Sequence, residues 1–593
     1  MKQLVSRWGK EIDKGKILQE YPRPNLVRES YFNLNGEWDY AISQSEVIKD
    51  YDGKILVPFS PETMLSGVGK VLQPDEYLHY RTVFTLPEGF AKSRVLLHFG
   101  AVDQECEVFL NGTSLGTHVG GYLPFCFDIT DQLKEENVLT LTVTDKTEFS
   151  PHARGKQKLI NDGPMNSLFY TPQSGIWKTV WLESVEERFI ENLKITPMFD
   201  EGAVKIRVIA NEKGDFLPNA KIQVVNQKKE VVADVSAKVN KDVVIPMENF
   251  EPWTPEHPYL YDLKITYGND EVASYFGMRK FSKGKDKNGI LRFFLNNKPY
   301  FFNGILDQGY WPESLLTAPS DEALIYDILK LKEYGYNTIR KHIKIEPERF
   351  YYHCDRLGMI VWQDMPNGGG DYNMYFVTYL PNGLGNFVRC IKDNHYSWFK
   401  REDEEGRKQY YKDIQSMIRL LYNYTSIAVW VPFNEGWGQF DAKKVSEKVK
   451  TWDPTRLINE ACGWFDQKGG DMYSIHNYLR KLKVSPEKDR VVALTEYGGY
   501  AYPVEGHLSC EKEFGYQKYR SLEDLTNNYK RLWDEEIFPN LSRGLSSAIY
   551  TQTSDVEEEI NGLMTYDRDV DKLGMEVVQE LNRKLYEQFD AMT

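Results

Sequence analysis

The chain is poor in cysteine: Cys106, Cys126, Cys354, Cys390, Cys462 and Cys510 are its only six in 593 residues, with no CxxC or histidine-paired spacing. That scatter argues against a disulfide framework or a zinc site and reads as free thiols in a reducing compartment. No apolar stretch approaches the length of a membrane span, and Met1 to Glu11 lack the apolar core of a secretory signal. A cytoplasmic protein without membrane contact is therefore expected. Basic clusters are missing too. With 87 acidic against 73 basic residues the net charge is −14, which would repel a phosphate backbone and argues against nucleic acid as a partner.

Hydrophobic (41%) and charged (27%) fractions are ordinary for a folded protein, and 593 residues exceed what one core can organise, so two to four domains are expected. Aromatic residues are abundant: 13 Trp, 38 Tyr and 30 Phe. Their rings fill β-sandwich cores and also stack on the apolar faces of sugars; the first use accounts for most of them.

From about Leu34 to Val185 short alternating runs, such as Tyr80-Arg-Thr-Val-Phe-Thr-Leu and Val138-Leu-Thr-Leu-Thr-Val, are separated by Asn-Gly, Pro and Gly turns. That grammar indicates a jelly roll or sandwich over residues 1–185, with Gly175-Ile-Trp-Lys-Thr-Val-Trp-Leu-Glu as its closing strand. A second β segment, 186–283, has the strand spacing of an immunoglobulin-like sandwich. The run Lys283-Gly-Lys-Asp-Lys-Asn-Gly reads as a polar linker. From 284 to 593 strands and helices alternate. Eight strand candidates, from Tyr300-Phe-Phe-Asn-Gly-Ile to Leu545-Ser-Ser-Ala-Ile-Tyr, are interleaved with helical stretches such as Asp321–Tyr334, Arg407–Tyr422 and Ala442–Trp452. Such alternation predicts a (β/α)8 TIM barrel, followed by a last helix over Met575–Phe589. The long connection from Pro366 to about Arg401 is expected to be a loop that shapes a pocket.

Two segments of this barrel carry chemistry. Ser426-Ile-Ala-Val-Trp-Val-Pro-Phe-Asn-Glu435-Gly-Trp and Val491-Val-Ala-Leu-Thr-Glu496-Tyr-Gly-Gly are apolar runs that end in a carboxylate and then glycine. A lone glutamate at such a break ordinarily caps a helix or pairs with arginine. Two in the same strand-end context, 61 residues apart, can converge across one barrel mouth. Glycoside hydrolysis requires such a pair: an acid for the leaving oxygen and a carboxylate facing the anomeric carbon. Asn434 can bind a sugar hydroxyl beside Glu435, and Trp437 is a further candidate contact. His342, two residues beyond Arg340 on one strand face, Asp364 at the end of Val361-Trp-Gln-Asp, His476 and Gln552 are additional substrate-binding candidates.

Phe433-Asn434-Glu435-Gly-Trp-Gly-Gln439 and Thr495-Glu496-Tyr-Gly-Gly resemble the acid/base and nucleophile signatures of glycoside hydrolase family 2. The similarity runs along most of the chain, through Leu34-Asn-Gly-Glu-Trp-Asp-Tyr, Phe109-Leu-Asn-Gly, Trp253-Thr-Pro-Glu-His-Pro-Tyr-Leu-Tyr and Asn337-Thr-Ile-Arg340. The resemblance implies a compact three-domain, retaining exo-β-glycosidase without a cofactor, in which Glu496 attacks and Glu435 serves as acid/base. It also implies that Arg340 orients the nucleophile and that Tyr478 stabilises its carboxylate. The segment Phe169-Tyr-Thr-Pro-Gln-Ser is similar to a jelly-roll loop that reaches the site in that family. The Asn-x-Lys pair expected of β-glucuronidases is not recognisable after Glu496, and no metal-ligand set is visible. A β-galactosidase acting on a small glycoside or oligosaccharide is the first expectation; β-mannosidase, arabinofuranosidase, β-glucuronidase and a non-catalytic carbohydrate-binding protein are the alternatives. Family members often assemble, so a homo-oligomer stays open.

Overall fold

The computed structural model describes residues 4–159, 166–212 and 218–593. In the N-terminal third, a six-stranded antiparallel sheet runs Gly53–Val57, Gly36–Ser43, Tyr77–Phe84, Asn137–Thr144, Glu105–Leu110, Thr113–Val119 in space. It shares one core with a four-stranded sheet of Phe32–Asn33, Val180–Val185, Arg94–Phe99 and Phe125–Asp128. Alternation in the sequence becomes inside and outside: in Asn137–Thr144 every second residue, including Leu139, Leu141 and Val143, is buried. The stretch from Gly175 does not form a single closing strand. Gly175–Ile176 pairs with Val102–Asp103, and the chain switches sheets before Val180–Val185 pairs with Arg94–Phe99.

The next seven strands form sheets of three (Ile190–Met198, Ala203–Ala210, Asp242–Pro246) and four (Val231–Lys238, Asn219–Val225, Tyr261–Tyr267, Asp270–Phe276) around Ile206, Ile222, Leu263 and Ile265, an immunoglobulin-like count. Buried Arg28 joins the two sandwiches: it donates to Glu183 at 2.7 Å and to Asp270 at 2.8 Å. Asn423, after a barrel helix, takes Leu193 O and Ile195 N–H of the second sandwich.

Eight parallel strands follow: Phe302–Asp307, Thr338–Lys341, Ile360–Asp364, Ile427–Val431, Leu457–Ile458, Met472–Asn477, Val491–Gly498 and Leu545–Thr551. Their hydrogen-bonded order is 5-4-3-2-1-8-7-6, so the ladder is complete except between the fifth and sixth strands. There, Asp471 N–H donates to Ile458 O at 2.8 Å and Ile458 N–H donates to the Asp471 carboxylate at 3.0 Å. The barrel is thus nearly closed.

Two expectations fail locally. Lys283 to Gly289 is not a linker: Phe281–Lys285 pairs with Leu291–Leu295 as a hairpin. Phe281, Phe293 and Leu295 pack into the barrel interior with Phe302, Leu306, Trp362 and Val431, closing its floor. The segment misled because Phe281 is its one buried residue, followed by the exposed Lys283 and Lys285. Likewise Pro366 to Arg401 is not plain loop but carries short helical turns at Tyr375–Tyr379, Leu380–Leu384, Gly385–Cys390 and Tyr396–Phe399, with Val388 and Phe399 packed on Trp464 and Phe465.

Candidate active site

The fourth strand does not stop at Val431. After Pro432, Phe433–Asn434 pairs with Ala461–Cys462, and Glu435 N–H donates to Cys462 O at 2.8 Å. The chain then reverses through three left-handed residues, Glu435 (φ 50°), Gly436 (φ 76°) and Gly438 (φ 65°). For a glutamate that backbone costs on the order of 1 kcal/mol, a strain typical of functional sites. Gly436 is obligatory here, because a Cβ would lie 2.5 Å from the Phe465 ring. Glu496 arrives differently, from within the seventh strand, in register with His476 of the sixth.

The two carboxyls meet. An oxygen of Glu435, an oxygen of Glu496 and a ring nitrogen of His476 all lie within 4.8 Å of one another. His476 Nδ1 is 2.7 Å from Glu435 Oε1 and 3.4 Å from Glu496 Oε2. Glu496 also accepts from Arg340 Nη1 at 2.8 Å and from the Tyr478 hydroxyl at 2.5 Å. Arg340 is saturated: it clamps Asp364 through Nε (3.0 Å) and Nη2 (2.9 Å), and reaches Asn434 Oδ1 (2.9 Å) and Thr495 O (3.2 Å).

Electrostatics separates the pair. Burial raises the Glu435 carboxyl to about 7, against the nearby cations Lys156 and Arg340, which favour its ionised form. Burial also raises Glu496, and the charge of Glu435 adds to this, while His476, Arg340 and Tyr478 oppose it. A guanidinium and a phenol touch Glu496, whereas His476, lowered to about 4 by burial, is the hydrogen-bond partner of Glu435. Glu496 is therefore the better placed to hold the charge and Glu435 the proton.

Other sequence candidates divide. Asn434, Arg340, Tyr478 and His476 join the cluster directly. His342 Nδ1 lies 2.8 Å from Asp364, and both are buried; the Asp364 carboxylate is spent on Arg340 and His342, so it anchors the arginine rather than standing open to hydroxyls. Gln552 is fully buried, its amide bonded to Gln308 at 2.8 Å and Asn561 at 2.7 Å. Through these bonds it braces the last loop. Trp437 is buried with its ring against Phe169 at 5.0 Å. Through that contact the jelly-roll segment Phe169–Ser174 reaches the turn that carries Glu435.

The sequence reading did not single out Tyr516, stacked on Tyr478 at 3.6 Å, nor Lys156 and Glu559. Lys156 Nζ is 3.6 Å from Glu559 and 3.2 Å from the Tyr170 hydroxyl, which in turn donates to Glu559 at 2.5 Å. These residues come from segments about 400 positions apart, and no local pattern joins them. Among the described residues, groups close enough to share a cation are Glu435–His476–Glu496 and, between the loops after the seventh and eighth strands, His507–Asp567–Asp569; the first is the carboxyl pair itself. A cavity of about 790 Å³ elsewhere, lined by His98, Trp181, Lys178 and Glu348, includes none of the site residues.

Two carboxyls this close at the carboxyl ends of strands in a parallel barrel, with two β-sandwiches ahead of it, define the architecture of a sugar-cleaving hydrolase. Family models agree with it along the chain. Residues 287–585 match the TIM barrel domain of glycosyl hydrolases family 2, 188–279 match the model named for the family itself, and 70–172 match its galactose-binding domain-like region. The chain belongs to glycosyl hydrolases family 2. Among curated relatives, a β-galactosidase from Thermoanaerobacter pseudethanolicus is 23% identical over 464 residues, covering 75% of this chain and 56% of that protein. A β-glucuronidase from Formosa agariphila is 26% identical, covering 63% and 37% respectively. The chain thus spans between about a third and three fifths of the length of these relatives. Solved structures share the fold: a Ruminococcus gnavus β-glucuronidase (TM-score 0.74, 17% identity, 96% of this chain and 99% of that one) and a β-galacturonidase from Eisenbergiella tayi bound to galacturonate (TM-score 0.72, 18% identity, 95% and 99%).

Proposed function

We propose that this protein hydrolyses a terminal β-glycosidic bond by retaining double displacement, with Glu496 as nucleophile and Glu435 as acid/base. One observation carries the reading: oxygens of the two carboxyls lie within 4.8 Å of each other. Retention uses carboxyls about 5–5.5 Å apart, whereas inversion needs about 6.5–9.5 Å to admit a water between them. In the first step Glu496 attacks the anomeric carbon while Glu435 gives its proton to the departing oxygen. The glycosyl ester then carries no charge, the repulsion that favoured a protonated Glu435 is gone, and Glu435 accepts a proton from the incoming water.

For the sugar, the first reading is a neutral one, β-galactose. The cations beside the carboxyls are already matched by protein acids: Arg340 by Asp364 and Glu496, Lys156 by Glu559. A uronate carboxylate placed beside these groups would find no cation left unmatched among them. A second reading, a β-glucuronide or β-galacturonide, draws on the relatives and fold neighbours named for those substrates. A panel of nitrophenyl β-galactoside, β-mannoside, β-glucuronide and α-arabinofuranoside decides between them. Turnover of the uronide alone would overturn the neutral reading, and proton NMR of the first-formed sugar tests retention.

A further inference from the structure

Cys462 ends the fifth strand extension, at the seam where the barrel ladder is open, and is completely buried. Its Sγ lies 3.2 Å from His476 Nε2, on the opposite side of the imidazole from the two carboxyls. The ring lies close over Gly463, where a Cβ would stand 2.7–2.8 Å from it, and Trp464 packs edge-on at 5.5 Å. A neutral histidine has one N–H, so what Cys462 does at Nε2 decides what Nδ1 does at Glu435.

The neighbouring hydroxyls settle which way the thiol proton points. Thr495 Oγ1 donates to Ile475 O at 3.2 Å, a bond in which only the hydroxyl can be donor. Its single hydrogen is then used, so the 2.6 Å contact with Ser474 Oγ is a bond donated by Ser474. Gly463 N–H in turn donates to Ser474 Oγ at 3.2 Å. With its hydrogen committed to Thr495, Ser474 has none for the Cys462 sulphur at 3.5 Å. Burial raises the Cys462 thiol to about 12, so it keeps its proton, and of the two acceptors within reach His476 Nε2 at 3.2 Å is nearer than Ser474 Oγ at 3.5 Å.

We propose that Cys462 is a positioning residue: by donating S–H to His476 Nε2 it fixes the tautomer in which Nδ1–H faces Glu435 Oε1. This rests on the assignment of Glu435 as the acid. The consequence concerns which oxygen holds the acid proton. With Nδ1–H as donor, Oε1 must accept, and the carboxyl proton sits on Oε2, to which no described residue donates. In the opposite tautomer Nε2–H would point at sulphur and Glu435 would give its proton to Nδ1, turned away from any substrate. The same Nδ1–H, 3.4 Å from Glu496 Oε2, leans on both carboxyls.

The tautomer is read directly in the unmodified protein by long-range ¹H–¹⁵N correlation spectra of ¹⁵N-histidine-labelled material, with His476 assigned by the His476→Gln variant. A protonated Nδ1 and bare Nε2 are expected; a protonated Nε2 overturns the proposal, whether or not any glycoside is turned over. In Cys462→Ala the bias of one hydrogen bond is lost, so kcat/KM for an unactivated phenyl glycoside should fall about tenfold while the dinitrophenyl glycoside, which needs no acid, changes little. Cys462→Ser, which restores a donor, should recover most of that loss. Equal losses on both substrates, or no rescue by serine, would show a packing role only and overturn the proposal.

Discussion

Tyr478→Phe removes one oxygen from the site and little else. The phenyl ring keeps its stack on Tyr516, 3.6 Å away and within 5° of parallel, so the side chain stays in place. What disappears is the 2.5 Å hydrogen bond to Glu496 Oε2, together with a 3.1 Å contact to Thr551 Oγ1. A hydrogen bond to a charged group contributes about 1.5–3 kcal/mol, and about 1.4 kcal/mol corresponds to tenfold in rate. Loss of the phenol should therefore lower kcat/KM for an aryl glycoside by about 10- to 150-fold. The sign on pH follows from what the phenol stabilises. Glu496 must be ionised to attack, so activity is lost as pH falls through its pKa. Burial has already raised that pKa, and the Tyr478 hydrogen bond holds it down. Removing the bond moves the acidic limb of the pH–rate profile upward, toward the alkaline limb set by Glu435. The bell narrows and its peak drops. The assay is kcat/KM against pH for parent and variant on one nitrophenyl glycoside. An unshifted acidic limb with a rate within twofold of the parent would refute the role of Tyr478 and weaken the nucleophile assignment of Glu496.

Glu496→Ala should abolish turnover, and azide should restore part of it while yielding the α-glycosyl azide, identified by NMR; a β-azide product would place the nucleophile elsewhere. Glu435→Gln should raise the melting temperature at pH 8 but not at pH 4. A carboxyl raised from 4.5 to about 7 in the folded state costs stability progressively as pH rises from 4.5 to 7, about 3 kcal/mol in full, and the amide escapes that cost. Parent and variant melting together at all pH values would contradict the raised pKa. Arg28→Met should destabilise the junction of the two sandwiches by about 3–5 kcal/mol, since Glu183 and Asp270 each lose a buried cation, an effect readable as an earlier calorimetric transition.

The strands of the barrel were legible because burial on both faces leaves near-continuous apolar runs such as Ile427–Val431 and Val491–Leu494, and the carboxylates were legible because they interrupt those runs. The hairpin under the barrel was not, since within Phe281–Lys285 only Phe281 is buried while Lys283 and Lys285 are exposed; one apolar residue followed by charge and glycine reads as linker when the partner strand is unknown. The same division holds within the site. Residues at strand ends, Arg340, Asn434, Glu435 and Glu496, announce themselves through local context. Those that tune them do not. Lys156 meets Glu559 across 403 positions and Tyr516 meets Tyr478 across 38, contacts encoded by how loops fold over the mouth rather than by any periodicity. Cys462 is the sharpest instance: scattered among six thiols it carried no signal, yet the bulge that sets His476 beside Glu496 also turns the imidazole's far nitrogen onto its sulphur. A substitution there leaves both catalytic motifs intact, so a chain with unchanged motifs and a different residue at 462 should retain the fold and lose acid assistance first.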